Sequence, residues 1–166
     1  VGRSATTGAG RPAKIYSCSE SNISIQFPIR HHDVLITLLG KALSLLSEKD
    51  AEQLAEEVGI EYGRTMAESL SPEETGYSFR QRLHVIAGAL TAHGFSAHAE
   101  QFGEDLQIVT EHCPFGDAAV KHPVICAVDR GMVKGMLGSL YGHGTTTLSA
   151  SLPQGDEVCV TAVDFD

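Results

Sequence analysis

The sequence predicts an α+β fold: a helical layer followed by a mainly antiparallel four-stranded sheet with one packed helix. Three observations carry this. Apolar residues recur at three- and four-residue spacing through three segments between residues 31 and 93. The period then shortens to two in stretches bounded by Gly and Pro turns. One further helical stripe separates the two pairs of such stretches. At 166 residues, of which 42% are apolar and 20% charged, the chain is long and apolar enough to bury one domain core.

After Pro12, residues 13–18 are short and β-compatible through Ile15 and Tyr16, and 19–22 read as a turn. The alternating run Ile23-Ser24-Ile25-Gln26-Phe27 suits a brief strand or an extended linker, which Pro28 ends. The first helix is expected over 31–46, with Val34, Leu35, Leu38, Leu39, Ala42, Leu45 and Leu46 along one face, a stripe that suits ordinary core or a dimer surface. Ser47 then offers a hydroxyl to cap the next helix, with Asp50 three residues on. Its stripe is Ala51, Leu54, Ala55, Val58, Tyr62, Met66 and Leu70, interrupted by Gly59 and Gly63 and closed by Pro72. A third helix spans 78–93, with Phe79, Leu83, Val85, Ile86 and Leu90 inward and Gly94 as its stop.

Strands are expected at 95–102 and 106–109 around Gly103-Glu104-Asp105. A helix over 122–141 tolerates Pro123 in its first turn and carries Val124, Ile125, Val128, Met132, Met136, Leu137 and Leu140. Gly142 and Gly144 end it. Two last strands at 145–152 and 157–163 flank the turn Pro153-Gln154-Gly155-Asp156.

Twelve Lys and Arg against 21 Asp and Glu give a net charge of −9, which argues against a large nucleic-acid surface on the body of the chain. The charge is uneven. Residues 1–14 hold Arg3, Arg11 and Lys14 and no acid, so a tip of +3 precedes a body of −12. Such a tip is either a disordered terminus or the edge of a DNA-contacting element lying upstream. No run approaches the ~18 apolar residues of a membrane span and no signal-peptide pattern opens the chain, so a cytoplasmic protein without a membrane partner is expected.

Four cysteines stand at 18, 113, 126 and 159, and in a cytosolic chain the alternatives are metal binding, catalysis and inert burial. Cys113 leaves a strand in His112-Cys113-Pro114-Phe115, where Pro114 holds a turn that can present a thiolate. Cys126 falls in the first turn of the predicted helix, where the positive end of the dipole favours a thiolate. Cys159 sits on the last strand. The spacing C-x12-C-x32-C is no zinc-ribbon signature, yet a strand end, a helix start and a paired strand can converge on one point. His112, His122 or Cys18 offers a fourth ligand, as does solvent, and either histidine can instead hydrogen-bond a sulfur. His31, His32, His84, His93 and His98 read as surface or satisfied core groups. No G-x-S-x-G, P-loop or H-E-x-x-H motif is present and no nucleophile–base pair stands out, so no enzyme is expected.

Two segments resemble a known family. Gly10-Arg11-Pro12-Ala13-Lys14-Ile15-Tyr16 is similar to the G-R-P-x-x-x-Y wing that ends a winged-helix DNA-binding domain of bacterial regulators. The series Cys113-Pro114-Phe115, His122-Pro123-Val124-Ile125-Cys126 and Gly155-Asp156-Glu157-Val158-Cys159 resembles the sensor domain of the SufR-type iron–sulfur-sensing repressors. The resemblance implies residues 1–22 as the trailing edge of the wing and linker, and 23–166 as a dimerisation and cofactor-sensing domain. It also implies a homodimer that contacts operator DNA through an upstream winged-helix domain, with Arg11 and Lys14 on phosphate. Cys113, Cys126 and Cys159 would hold an iron–sulfur cluster, four-iron (4Fe-4S) ahead of two-iron (2Fe-2S), regulating cluster-assembly genes. Two alternatives remain open: structural zinc on the same thiolates completed by His112 or His122, or a metal-free small-molecule sensor with room left at Gly59, Gly63, Gly88 and Gly94.

Overall fold

The two hairpins signalled by the turn residues join into one sheet. In the computed structural model, which describes residues 2–3, 14–15, 32–70, 78–103, 105–142 and 144–164, the chain divides into two units, Val1–His32 and Asp33–Asp166. In the first unit, β1 (Gly2–Arg3) pairs antiparallel with β2 (Lys14–Ile15), setting Gly2 opposite Ile15 and Arg3 opposite Lys14. Arg11, Cys18, His31 and the stretch 23–28 lie outside the described residues.

The second unit follows the expected order. Helices α1 (His32–Leu43), α2 (Glu48–Glu68) and α3 (Phe79–Ala92) come first. Then come β3 (Ser96–Phe102), β4 (Asp105–His112), α4 (Asp117–Lys121), α5 (Cys126–Tyr141), β5 (Thr145–Ala150) and β6 (Cys159–Asp164). The sheet is antiparallel throughout, in the order β3-β4-β6-β5. This is the α+β architecture that the change of period predicts. Among the described residues, no helix is long and apolar enough to cross a membrane.

Local chemistry sets most element ends. Ser47 Oγ accepts the Asp50 N–H at 3.2 Å and donates to the Asp50 carboxylate at 2.6 Å, which starts α2 where expected. The Ser78 N–H is accepted by Gln81 Oε1 at 2.8 Å at the start of α3. Gly94, at φ +95°, takes the left-handed conformation that stops α3 without a Cβ penalty. The predicted helix over 122–141 divides: a five-residue α4 and a 3-10 turn, Pro123–Ile125, precede α5, so Cys126 opens α5 behind a turn that already occupies its amide.

The core lies between the sheet and the pair α3 and α5. Leu83, Ile86 and Leu90 of α3 meet Val133, Met136 and Leu137 of α5 over Ile108 and Val163 of the sheet, with Met66 and Ala67 of α2 and Phe95 closing the edge. α2 lies along α5. Gly59 and Gly63 do not leave room for a ligand, as the sensor alternative expected. A Cβ on Gly59 would strike the Val128 carbonyl, and one on Gly63 the Met132 carbonyl. Of the two readings of the α1 stripe, ordinary core does not hold: Val34, Leu35, Leu38 and Leu39 face out, and among the described residues of that helix Gly40 is buried.

Candidate functional site

Sheet register brings the cysteine series to one end of the domain. Thr110 of β4 pairs directly with Cys159 of β6, and Cys113 follows Thr110 by three residues, just past the strand end. The turn at Pro114–Gly116 then reverses the chain toward α4 and the 3-10 turn that delivers Cys126. Cys159 is buried, and Cys113 and Cys126 are half-buried, all as free thiols. The charge of Cys126 interacts with those of Cys159 and Cys113, and that of Cys113 with Cys159, so the three sulfurs share one electrostatic neighbourhood.

Backbone amides surround two of the sulfurs. The Gly116 N–H donates to the Cys113 carbonyl at 3.1 Å, and the Phe115 and Gly116 amides favour the charged form of the Cys113 sulfur. This geometry needs the tight Cys-Pro-Phe-Gly turn, in which Gly116 sits at φ +48°. The Leu152 N–H donates to Cys159 Sγ at 3.4 Å. A neighbouring loop is pinned by Asp156, whose carboxylate accepts the Ser151 N–H at 2.8 Å.

A fourth group was not legible in the sequence. Asp129, one turn into α5 from Cys126, is only 6% exposed, and its charge acts on all three cysteines. Burial alone pushes its carboxyl up to about 6. The only sequence signal was its i+3 spacing from Cys126, which places it on the same side of the helix.

All three thiols are pushed above the ordinary range. For Cys126 the first cause is burial, followed by the charges of Cys159 and Cys113, and it reaches about 11 in spite of nearby Arg130. Burial also leads at Cys113 and Cys159, where the amide donors only partly offset it. Against the helix dipole, which favours a thiolate at Cys126, stand desolvation and two neighbouring sulfurs, which push the thiol up. The resting site holds neutral thiols that a cationic centre would deprotonate. In this conformation, among the described residues, no three His, Cys, Asp or Glu side chains stand close enough together to hold a metal ion.

The histidines considered as ligands have other surroundings. The His112 side chain is exposed. The His122 ring lies against α1, where a Cβ on Gly40 would fall upon it. Of the expected phosphate-contacting residues, Lys14 lies on β2 and Arg11 outside the described residues. Beside Cys126 opens a cleft of about 600 Å³ between the α1–α2 turn, residues 121–127 and residues 151–154. His122, Cys126, Arg130 and Ser151 line it.

With this geometry in hand, the fold is that of two solved structures. The phenol-responsive sensory domain of the transcription activator PoxR, solved with phenol, superposes with a TM-score of 0.67 at 17% identity, over 81% of this chain and 74% of that one. Trafficking protein particle complex subunit 3 from Naegleria fowleri, covalently bound to palmitic acid, gives a TM-score of 0.58 at 14% identity, over 81% and 96%. The shared architecture is thus one found in a ligand-responsive sensory domain and in a trafficking subunit. The chain itself belongs to the methanogen output domain 1 family, which it matches over residues 41–164. No curated protein sequence matches it. These comparisons give no specific support to a SufR-type assignment.

Proposed function

We propose that this chain is the sensor part of a transcription regulator and that Cys113, Cys126 and Cys159 hold an iron–sulfur cluster, with Asp129 as the fourth group in reach. The observation that supports the reading is that three thiols, far apart in sequence, lie within electrostatic reach of one another and of a buried carboxylate. Four groups that become anions on losing a proton favour a cationic centre over their own ionisation in a dry site. The Leu152 amide on Cys159, and the amides near Cys113, are of the kind that stabilise and tune cluster thiolates. A cluster spaces its thiolates more widely than a single tetrahedral zinc does, so it asks for less closure of this site.

Held by Cys113, Cys126 and Cys159, a cluster would supply a centre responsive to oxidant or nitric oxide. The protein's part is positional. The turn at Pro114–Gly116 aims Cys113, the Leu152 amide holds Cys159, and Cys126 ties the start of α5 to both. Cys113 at a strand end, Cys126 at a helix start and Cys159 on β6 would couple such a centre to three elements, and the His122 ring against Gly40 would link them to α1. In the whole regulator, Arg11 and Lys14 lie along operator phosphates, and the cluster-assembly genes implied by the SufR-type resemblance are the targets.

The test is reconstitution of the oxygen-free protein with iron and sulfide. Visible absorption and acid-labile sulfide that disappear in Cys113→Ser, Cys126→Ser and Cys159→Ser support the reading. A colourless protein without iron overturns it, and one zinc per chain assigns the same thiols to zinc.

The cleft beside Cys126 favours a second reading, a small-molecule sensor, because it has the size of a ligand site and the similar PoxR domain was solved with phenol. A rise in unfolding temperature on adding phenol, lost when Ala127 is enlarged to Phe to fill the cleft, supports that reading. No rise rejects it for phenol.

A further inference from the structure

Helix α1 has two apolar faces, and the domain covers one. Gly40 is buried against the His122 ring and Leu43 is half-buried. On the other side Val34, Leu35, Leu38 and Leu39 are 61, 53, 62 and 54% exposed, and Leu45 just beyond is 86% exposed. An apolar stripe on a helix normally meets a covering surface, and 12 residues are too few for an isolated helix to persist in water. The exposure is also concentrated. Among the described residues, ten of the twelve exposed large apolar side chains lie between Val34 and Tyr62, on α1, α2 and their connection.

We propose that a second copy of this chain covers this face, so that the α1–α2 hairpin is the two-fold interface of a homodimer. Area supports this occupant. Ten side chains about half exposed present roughly 500 Å² of apolar surface. Homodimer interfaces are about 65% apolar, so the face corresponds to about 800 Å² per copy, the size of a standard stable interface. Its composition supports self-association too. A Val and Leu stripe at four-residue spacing forms ridges that fit the grooves of an identical stripe, and a two-fold contact uses one patch twice and then closes. A lipid surface fits poorly, because residues 32–68 carry three Lys or Arg against eight Asp or Glu and so offer no basic rim to meet anionic headgroups. The pairing does not depend on what the thiols hold.

The experiment is sedimentation of the full chain across a concentration series, beside Leu38→Asp/Leu39→Asp and the control Phe102→Asp, whose ring is 76% exposed on β3. The proposal expects a species of twice 17.7 kDa for the chain and for the control. It expects a dissociation constant raised by about 100-fold or more for the double variant, with unchanged far-ultraviolet dichroism. Should the aspartates disturb folding, Leu38→Ser/Leu39→Ser carries the same expectation. A monomeric chain at tens of micromolar, or a dimer indifferent to the α1 substitutions, overturns it. Iron and sulfide content measured on the same variants reads the thiol site separately, so failure of either proposal is seen without the other.

Discussion

Gly59 of α2 and Gly131 of α5 meet backbone to backbone: a Cβ on either would lie 2.9 Å from the Cα of the other. One turn further, Gly63 faces Met132 and Gly135 faces Ile60 in the same manner. Four glycines at four-residue spacing thus let the two helices approach closer than any side chain allows. The atoms a Cβ would strike are carbonyls and Cα atoms, which cannot swing aside.

Gly131→Ala is therefore expected to destabilise the domain by about 2–3 kcal/mol, since relief requires the helices to separate. Urea unfolding is the measurement, with a lower midpoint at unchanged slope. In contrast Gly88→Ala, in a helix where a Cβ meets open space, is expected to be neutral or stabilising.

The same helix pair is held by Glu56, which accepts from Arg130 Nη2 at 3.0 Å and from Lys134 Nζ at 2.6 Å. Burial raises the Glu56 carboxyl, but the hydrogen bonds from Lys134 and Arg130 more than offset it and hold the group below its ordinary 4.5. A depressed carboxyl stabilises the fold above the unfolded value and ceases to do so as pH falls through the folded one. Glu56→Gln should cost about 1 kcal/mol at neutral pH, and the difference from the parent should vanish in acid and shrink in high salt.

Asp129 acts with the opposite sign. Its carboxyl is raised from 3.8 to about 6, so in the metal-free domain its contribution is complete below 3.8 and lost as pH rises through about 6. The loss is about 3 kcal/mol at 1.36 kcal/mol per unit. Metal-free Asp129→Asn should be more stable than the parent at pH ~8 and should lose that advantage near pH ~4. Unfolding midpoints at the two pH values check it.

Gly40 seats α1 on the His122 ring. Gly40→Ala is expected to loosen that seat by about 1 kcal/mol, seen as faster proteolysis in the α1–α2 turn. Because the obstruction is the far end of a side chain, His122→Ala in the same protein should restore protection, a coupling that a double-mutant cycle measures.

Much of the fold was legible because its signals are local. Ser47 caps α2 through its own hydroxyl, Gly94 stops α3 through its own φ, and both hairpins turn where Gly103 and Pro153–Gly155 stand. The split of the predicted 122–141 helix was less legible, since Pro123 suits the first turn of either a 3-10 or an α-helix. The site was half legible. Cys113, Cys126 and Cys159 could be named from the turn, helix start and strand that carry them, whereas Asp129 sits among helix residues whose spacing reads equally well as solvated.

By itself, then, the sequence determined the order and type of the elements, the unequal charge of tip and body, and which residues carry sulfur. Tertiary structure decided what each apolar face meets. It turned Val34, Leu35, Leu38 and Leu39 outward, filled the space at Gly59 and Gly63 with α5, and buried Asp129 within electrostatic reach of three thiols. The physical reason is that periodicity identifies an apolar face but not the surface covering it. A carboxyl's proton affinity depends on the neighbours and the dryness that only folding supplies.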